Sequence, residues 1–288
     1  MAVPYPQVVL FGDSLLQRSV DLADGFSFQA ALQTRCIRRL DIVNRGLSGW
    51  NTANAMQYID DIIPEPRASS PVIKFLVSNK PGALNHVRRR AHRLAPEIVL
   101  FGANDAVMPL PTTSQHVPLD EYKRNLTDII THPHVQAHKP TILLVTPPPV
   151  DEMKLTRLDT AEGHASAIRS FATSAAYSEK AREVARENAG VILIDLWQAL
   201  MDRAIALAPG EYQPGGPWLG SPENGKAGGL EQLLPDGLHM SGDAYRVLYE
   251  QIRPHIGQQW TNLPGRDRTG FLFPDWMDLN AANTNAKT

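Results

Sequence analysis

Residues 8–14 of the chain read Val-Val-Leu-Phe-Gly-Asp-Ser: four apolar residues, then a glycine, an acid and a hydroxyl. A continuous apolar run of this length is typical of a strand that is buried on both faces of a parallel sheet. In an open parallel sheet, ligands bind beyond the carboxyl ends of the strands. The run therefore predicts a strand that ends near Gly12 and places Ser14 where a binding site forms.

Four further short runs rich in Val, Ile and Leu are also continuously apolar: residues 42–43, 98–101, 141–145 and 191–194. The stretches between the runs carry apolar residues at the spacing of a helix face. These residues are Phe28, Leu32, Cys36 and Leu40; Tyr122, Leu126, Ile129 and Ile130; and Tyr245, Leu248, Tyr249 and Ile252. Residues 161–187 are predicted to form one long helix or two. The alternation predicts a five-stranded parallel sheet with helices on both faces.

The composition is that of a globular protein: 288 residues, 43% hydrophobic and 20% charged. A net charge of -2 gives no reason to expect a nucleic acid or an anionic membrane surface as partner. No apolar run approaches the roughly 20 residues of a membrane-spanning helix, and the N-terminus lacks the basic region of a signal peptide. Cys36 is the only cysteine, which excludes an intrachain disulfide. These features favour a cytoplasmic location; homo-oligomer formation stays open.

The chain is predicted to form a single domain over residues 1–279. A polar, low-complexity tail, residues 280–288, is expected to be disordered. Two stretches interrupt the strand–helix alternation: residues 64–96, with several prolines, and residues 209–235, rich in Gly and Pro. Long loops in a compact domain often act as lids or walls of a binding site. A solvated excursion is the equal alternative.

Candidate chemical groups follow three of the predicted strands: Ser14 the first, Gly46 the second and Asn104 the third. Late in the chain, Asp236 and His239 stand three residues apart, so the carboxylate can bond one ring nitrogen and leave the other as a base. Singly, each residue has an ordinary explanation as a helix cap, turn or loop residue. Together they supply a nucleophile, donors to developing negative charge and an oriented base, which acyl transfer requires.

Four motifs stand along the chain in the order found in a known family: Gly12-Asp13-Ser14, Gly46, Gly102-Ala-Asn104-Asp105 and Asp236-Gly-Leu-His239. In these motifs the chain resembles the SGNH (GDSL-type) hydrolases over nearly its whole length. Finer features resemble one branch, the isoamyl acetate-hydrolysing esterase-like proteins. They are residues 102–106, Gln115-His-Val-Pro118 followed by Tyr122, residues 146–152 and residues 236–241. The two long insertions depart from the family pattern and bear on substrate size rather than on the chemistry.

The resemblance implies a fold, a reaction and a role for each motif residue. The fold is a three-layer α/β/α sandwich around a five-stranded parallel sheet, flavodoxin-like in strand order. The reaction is hydrolysis of a small, acetate-type carboxylic ester through an acyl-enzyme. Ser14 is the implied nucleophile, His239 the general base and Asp236 its orienting carboxylate. The backbone N–H groups of Ser14 and Gly46 and the side-chain amide of Asn104 are the implied oxyanion donors, and no metal or cofactor is required.

Other functions stay open at this point. The same residues could serve a thioesterase or lysophospholipase that acts on longer acyl groups, since residues 209–235 could wall a longer pocket. A hydrolase-like fold could also bind an ester or acyl ligand without turning it over. Trp50, Met108 and Trp218 could line an acyl pocket, although core packing is the ordinary role of such side chains.

The histidines of residues 132–138 (His-Pro-His-Val-Gln-Ala-His) could form a metal site. Because the proline breaks regular geometry and no carboxylate stands beside them, an exposed loop is the favoured interpretation. Cys36 lies on the apolar face of the first helix and is predicted to be a core residue. Asp13 and Asp105 are expected to hydrogen-bond loop backbone rather than to act chemically.

Overall fold

The computed structural model describes residues 5–66, 96–258, 260 and 267–285. Five strands form one sheet: β1 (Gln7–Gly12), β2 (Asp41–Gly46), β3 (Pro96–Leu100), β4 (Thr141–Val145) and β5 (Ile192–Ile194). Their order is β2-β1-β3-β4-β5, and every neighbouring pair runs parallel. The predicted flavodoxin-like sheet is confirmed, and each strand overlaps one of the five apolar runs.

Helices cover both faces of this sheet. Within the described ranges they are α1 (Ser14–Gln17), α2 (Phe28–Cys36), α3 (Thr52–Ile62), α4 (Leu119–Thr131), α5 (Pro133–His138), α6 (Glu152–Ala161), α7 (Phe171–Glu187), α8 (Leu196–Leu207), α9 (Leu230–Leu233), α10 (Gly242–Ile252) and α11 (Trp276–Asn285). Helix α4 packs against α3 and α7, and α10 packs against α2, α8 and α9. Since crossovers between parallel strands are right-handed as a rule, the strand order puts these two groups on opposite faces, as in the expected α/β/α sandwich.

Strand β1 lies inside the sheet, between β2 and β3. Val8, Leu10 and Phe11 are fully buried, as expected for a strand covered on both faces. The connection after β1 leads to β2 on one side of β1, and the connection after β2 leads to β3 on the other side. The direction in which strands are added to the sheet therefore reverses at β1. The carboxyl ends of β1 and β3 therefore form the topological switch point, where open α/β sheets bind ligands.

Two predicted helices have different bounds in the structure. Helix α2 ends at Cys36, and Arg38 then adopts a positive φ of 64°, so Leu40 lies beyond the helix in the turn that leads to β2. Within residues 161–187, the long helix is α7, which Ser170 caps through a side-chain bond to the N–H of Thr173. A non-helical connection, residues 162–170, separates it from α6.

The two insertions differ in what the structure describes. Residues 67–95 lie outside the described residues, and the prediction for residues 64–96 falls largely there. Residues 209–235 are anchored to the body of the domain, because Leu219, Leu230, Leu233 and Leu234 are fully buried, whereas residues 213–215 and 222–223 are exposed. This loop also accepts a hydrogen bond of 3.0 Å from the N–H of Glu152 at the start of α6.

The C-terminal part of the chain continues further in regular structure than the sequence predicts. Helix α11 extends to Asn285, and the disorder of residues 280–288 stays a prediction. Ala281 and Ala282 favour a helix there. Residues 286–288 lie outside the described residues. None of the helices that the structure describes is long and apolar enough to cross a membrane.

Candidate active site

The turn between β1 and α1 presents the predicted nucleophile. Asp13 caps α1, and its Oδ1 accepts the backbone N–H of Leu15 at 2.9 Å; its lack of a chemical role stays a prediction. Ser14 is the first residue of the helix and is only 6% exposed. Within the described residues its N–H makes no hydrogen bond, as expected for the first helical position. That N–H is therefore an available donor beside the Ser14 hydroxyl.

The fold brings Ser14 to His239, which lies 225 residues away in the sequence. The Oγ of Ser14 is 3.0 Å from Nε2 of His239, and Nδ1 of the same ring is 2.7 Å from Oδ2 of Asp236. An ionised carboxylate can only accept a hydrogen bond, so Nδ1 carries the proton. Nε2 then has a lone pair that faces the serine hydroxyl. These three residues are brought together in the order that proton transfer from Ser14 requires.

The turn at residues 235–239 holds the Asp236 carboxylate in its ionised form. Its Oδ1 accepts the backbone N–H of Leu238 at 3.0 Å and that of His239 at 2.7 Å. Burial alone raises the pKa of Asp236, but the hydrogen bonds from the His239 ring and from these two N–H groups outweigh it. The pKa of Asp236 is therefore held well below its usual range, so the carboxylate stays charged beside the imidazole.

The turn after β3 fixes the side-chain amide of Asn104. Its Nδ2 donates to the carbonyl oxygen of Trp50 at 2.8 Å, and its Oδ1 accepts from Nη2 of Arg169 at 3.0 Å. Gly102 begins this turn with a φ of +126°, and a Cβ there would lie 2.8 Å from the Tyr122 hydroxyl. The Gly-x-Asn-Asp motif therefore needs glycine for backbone conformation and for space.

Gly46 does not have the role that the resemblance implies. Its N–H donates to Oδ1 of Asn44 at 2.8 Å, so this N–H is already engaged. A Cβ at Gly46 would lie 2.0 Å from the backbone nitrogen of Gln17. The glycine thus allows β2 to approach helix α1 closely, and its predicted role as an oxyanion donor is corrected.

A second glycine in the same loop offers a backbone donor. Gly49 has a φ of +81°, and no hydrogen bond between described residues uses its N–H. Its carbonyl oxygen accepts from Gln115 at 2.7 Å, and the next residue, Trp50, accepts from Asn104. The loop that carries Gly49 is therefore tied to the Asn104 turn.

Two carboxylates lie buried beneath the site without contacting the Ser14 hydroxyl. Burial raises the pKa of Asp13 to about 7, against the hydrogen bond from Leu15. Burial likewise raises the pKa of Asp105 to about 6, against hydrogen bonds from the hydroxyl and the N–H of Thr52. Asp105 accepts both of these bonds from the first residue of α3 rather than from loop backbone, and its lack of a chemical role stays a prediction.

The predicted pocket residues have different surroundings. Trp50 is partly buried, and its carbonyl oxygen holds Asn104. The N–H of Met108 donates to Ile168 at 2.7 Å. Trp218 stacks on Tyr212 and meets Trp197 edge-on, with ring centroids 5.2 and 5.4 Å apart. The ring contacts of Trp218 are typical of core packing, and the acyl-pocket role of the three residues stays a prediction. Cys36 is fully buried, as predicted.

The interpretation of residues 132–138 as an exposed loop is wrong. They form helix α5 with its cap, and His138 is only 4% exposed. Asp60, in α3, is distant from these histidines in the sequence, but the fold brings its carboxylate close to two of them. The ligand atoms of Asp60, His132 and His134 lie within 4.8 Å of one another. However, Nδ1 of His132 accepts the N–H of His134 at 3.4 Å, and Nδ1 of His134 is 3.0 Å from the carbonyl oxygen of Ile63.

These hydrogen bonds oppose a metal-site interpretation. A neutral imidazole has one lone pair in the ring plane and one N–H. If Nδ1 of His132 accepts a hydrogen bond, the proton is on the Nε2 that faces Asp60, 3.6 Å away. If Nδ1 of His134 donates to a carbonyl, that nitrogen cannot ligate either. Nδ1 of both rings is therefore engaged as in a helix cap, while Nε2 of His134 faces the carboxylate of Glu65 at 3.7 Å.

Sequence reasoning did not identify Gly49 or Arg169 as site residues. Gly49 is three residues from the motif glycine that the resemblance indicates. Arg169 stands in a region rich in Ala, Glu and Arg, where an arginine is ordinarily part of a solvated helix face. The signal that could have revealed it is the break between α6 and α7, which Gly163, with a φ of +96°, and the capping residue Ser170 mark in the sequence.

Comparison with known proteins places the chain in a family. The sequence model of the GDSL-like Lipase/Acylhydrolase family matches residues 8–252. The mouse (Mus musculus) "Isoamyl acetate-hydrolyzing esterase 1 homolog" is 28% identical over 98% of this chain and 91% of its own length. The "GDSL esterase/lipase CPRD49" of Arabidopsis thaliana is 30% identical over 96% of this chain and 90% of its own length.

Solved structures are similar in fold. A lipase/acylhydrolase from Enterococcus faecalis has a TM-score of 0.54 at 18% identity, covering 90% of this chain and 100% of its own. The acetylxylan esterase Axe2 from Geobacillus stearothermophilus has a TM-score of 0.53 at 18% identity, covering 89% of this chain and 97% of its own.

The sheet, the motifs and these matches define a carboxylic ester hydrolase. The chain belongs to the GDSL-like lipase/acylhydrolase family, the SGNH (GDSL) esterases, which confirms the resemblance seen in its sequence.

Proposed function

We propose that this protein is a serine esterase that hydrolyses small, acetate-type esters, with Ser14 as nucleophile and His239 as base. The observation that carries the proposal is the 3.0 Å contact between Ser14 Oγ and His239 Nε2, with Asp236 bound to the opposite ring nitrogen. A small substrate is supported by the names of relatives, among them the mouse isoamyl acetate-hydrolyzing esterase 1 homolog.

The reaction proceeds in two steps. His239 Nε2 takes the proton of Ser14 as Oγ attacks the ester carbonyl, and Asp236 stabilises the imidazolium that forms. The C–O bond to the alcohol breaks, and the alcohol leaves with the proton from His239. Water then attacks the acyl-enzyme, again giving its proton to His239. The acid is released, and Ser14 recovers its proton.

Three donors are assigned to the oxyanion in this proposal. The N–H of Ser14 is free of hydrogen bonds to described residues, and Nδ2 of Asn104 has a second N–H beyond the one used by Trp50. The N–H of Gly49 replaces that of Gly46, because Gly46 already donates to Asn44. Such donors act on charge that develops in the transition state.

The test is hydrolysis of p-nitrophenyl esters of increasing acyl length by wild type and Ser14→Ala. Turnover by wild type alone, fastest on the shortest chains, is the expected result. A preference for long chains keeps the serine mechanism and overturns the small-ester assignment in favour of a thioesterase or lysophospholipase. Equal rates for the two proteins overturn the role of Ser14, and failure of a serine-directed organophosphonate to label wild type would favour a binding module.

We also infer a cytoplasmic location. The support is that Cys36 is the single cysteine of the chain and is buried, so the protein forms no intrachain disulfide, as is typical of a reducing compartment. Fractionation of cells that express the protein tests this location.

A further inference from the structure

We infer that Arg169 is a positioning residue of this esterase, which holds the Asn104 amide so that the N–H not used by Trp50 is directed as an oxyanion donor. The inference rests on the proposed function, because it assigns a task within that reaction. It concerns a residue outside the four motifs and is carried by the hydrogen bonds of Arg169 with the Asn104 turn.

Arg169 is bound to the Asn104 turn at two points. Its Nε donates to the carbonyl oxygen of Ala103 at 2.8 Å, and its Nη2 donates to Oδ1 of Asn104 at 3.0 Å. The residue is only 8% exposed. A planar guanidinium with two bonds in fixed directions sets the position of both acceptors.

The segment that carries Arg169 is itself anchored. Its neighbour Ile168 donates its N–H to Oδ2 of Asp159 at 2.7 Å and accepts the N–H of Met108 at 2.7 Å. Asp159 belongs to α6, and Met108 lies just beyond the Asn104 turn. The connection between α6 and α7 is therefore held both to a helix and to the turn that it supports.

These partners determine which way the amide of Asn104 points. A guanidinium can only donate, and the carbonyl oxygen of Trp50 can only accept. If the amide were rotated by a half turn, its NH₂ would face the Arg169 guanidinium and its oxygen would face the Trp50 oxygen. Both contacts would then be repulsive. Arg169 thus excludes the orientation in which an oxygen would face the developing oxyanion.

The positive charge of Arg169 adds a second effect. Burial lowers the pKa of the guanidinium, while the carboxylates of Asp159, Asp13 and Asp236 favour its charged form. A charged donor on Oδ1 polarises the amide and strengthens the N–H groups of Nδ2 as donors. A neutral residue of the same size would supply neither the charge nor the directed bonds.

The test is a double-mutant cycle on kcat for a short p-nitrophenyl ester, with Asn104→Ala, Arg169→Met and the double variant. We expect Arg169→Met to lower kcat by about 10- to 100-fold, with a smaller change in KM, because a misdirected donor weakens transition-state binding. If Arg169 acts through Asn104, the double variant should be no slower than about twofold below Asn104→Ala. Multiplicative effects of the two substitutions would overturn the inference.

Arg39→Met is the matched control. Arg39 is also 8% exposed, and its Nε and Nη2 donate to the carbonyl oxygens of Thr269 and Asp267 at 2.7 and 2.8 Å, but it lies in the turn before β2, at the amino end of the sheet. The Arg39→Met variant should have a lower melting temperature than wild type and an unchanged kcat. Equal losses of kcat in both variants would mean that Arg169 acts on stability alone, which contradicts the inference.

If Arg169→Met does not fold, Arg169→Lys takes its place in the double-mutant cycle. Lysine keeps the charge and can donate to one of the two acceptors, so kcat should fall between those of wild type and Asn104→Ala, and the cycle with Asn104→Ala is interpreted in the same way. If the wild-type protein hydrolyses esters and the effects of the two substitutions are additive in the cycle, this inference is overturned and the proposed function stands. Absence of wild-type activity on every ester overturns both, because Arg169 would have no reaction to serve.

Discussion

Two imidazole–carboxylate pairs lie at opposite ends of the same sheet. At the carboxyl end, His239 Nδ1 is 2.7 Å from Asp236; at the amino end, His134 Nδ1 is 3.2 Å from Asp60. The second nitrogen of His239 meets the hydroxyl of Ser14. The second nitrogen of His134 lies 3.7 Å from the carboxylate of Glu65, which is not a hydroxyl nucleophile. A histidine–carboxylate pair therefore becomes a candidate base only where its free nitrogen faces a nucleophile.

The two carboxylates are also held differently. Asp236 accepts two backbone N–H groups besides the ring, which fixes its geometry. The Asp60 side chain is 69% exposed, and its pairs with the two histidines are of the solvent-screened kind that contributes little. The same pair of residue types is thus fixed by hydrogen bonds at one end of the sheet and forms a solvent-exposed contact at the other.

The largest expected effect separates the two histidines. His239→Ala should lower kcat by about 10⁴-fold or more, because no base then accepts the proton of Ser14. His134→Ala should leave kcat unchanged. Steady-state hydrolysis of a short p-nitrophenyl ester measures both. A comparable loss in His134→Ala would break the comparison.

The pH profile checks the same assignment. Wild-type activity should fall at acid pH, since an imidazolium cannot accept the serine proton. Asp236 stays ionised through this range, because its pKa is held well below its usual value. An intact acid limb in His239→Ala, at the wild-type rate, contradicts the role of His239 as base.

A smaller effect is expected for the donor of the Asn104 turn. Asn104→Ala should lower kcat by about 10²–10³-fold, because one oxyanion donor is lost. The matched control is Asn188→Ala at the amino end, where Nδ2 of Asn188 donates to the carbonyl oxygen of Val184 at 2.8 Å. That variant loses a bond of the same kind and should keep the wild-type kcat. Equal rates for both variants would remove Asn104 from the oxyanion site.

Buried carboxylates at the two ends should differ in their pH windows. Asp13, at the carboxyl end, has a pKa raised to about 7 by burial. Glu97 in β3, at the amino end, has a pKa raised to about 8 by burial, and neither of its oxygens has a hydrogen-bond partner among the described residues. For both, the folded state keeps a proton that the unfolded state has released. Stability is therefore lost as pH rises toward the folded-state pKa.

Replacing each buried carboxyl group by the corresponding amide should remove its pH-dependent loss of stability. The stability of Asp13→Asn relative to wild type should increase up to about pH 7 and then level off, whereas that of Glu97→Gln should increase up to about pH 8. The gain should be on the order of 3 kcal/mol in each case. Urea unfolding at pH 5, 7 and 8.5 measures it. A relative stability that does not change with pH would show that the carboxylate titrates normally.

The smallest expected effect is structural and lies at the amino end. His134→Ala removes the ring bond to the Ile63 carbonyl oxygen and should lower the free energy of unfolding by about 1 kcal/mol. Adding 1 mM Zn²⁺ should leave the melting temperature of wild type unchanged, since hydrogen bonds engage Nδ1 of both His132 and His134. A melting temperature that rises with zinc in wild type and not in His134→Ala would restore the metal-site interpretation.

The sequence alone determined the sheet and the motif residues, because each depends on short-range patterns. Continuous apolar runs predict buried parallel strands wherever they occur, and the ends of those strands place Ser14 and Asn104 at one edge. Asp236 and His239 are close in sequence, so their contact follows from a local turn. The resemblance to the SGNH hydrolases then linked these positions into one reaction.

Only the tertiary structure decided which groups are free and which are engaged. The Gly46 N–H is occupied by Asn44, and Arg169 reaches Asn104 across 65 residues of sequence. His134 likewise meets Ile63 across 71 residues. Local periodicity and turn propensity are read from neighbouring residues, whereas a hydrogen bond depends on atoms that the folded chain brings within 3 Å. The sequence alone identifies the chemical groups of this protein, and the packing of distant segments determines their hydrogen-bond partners.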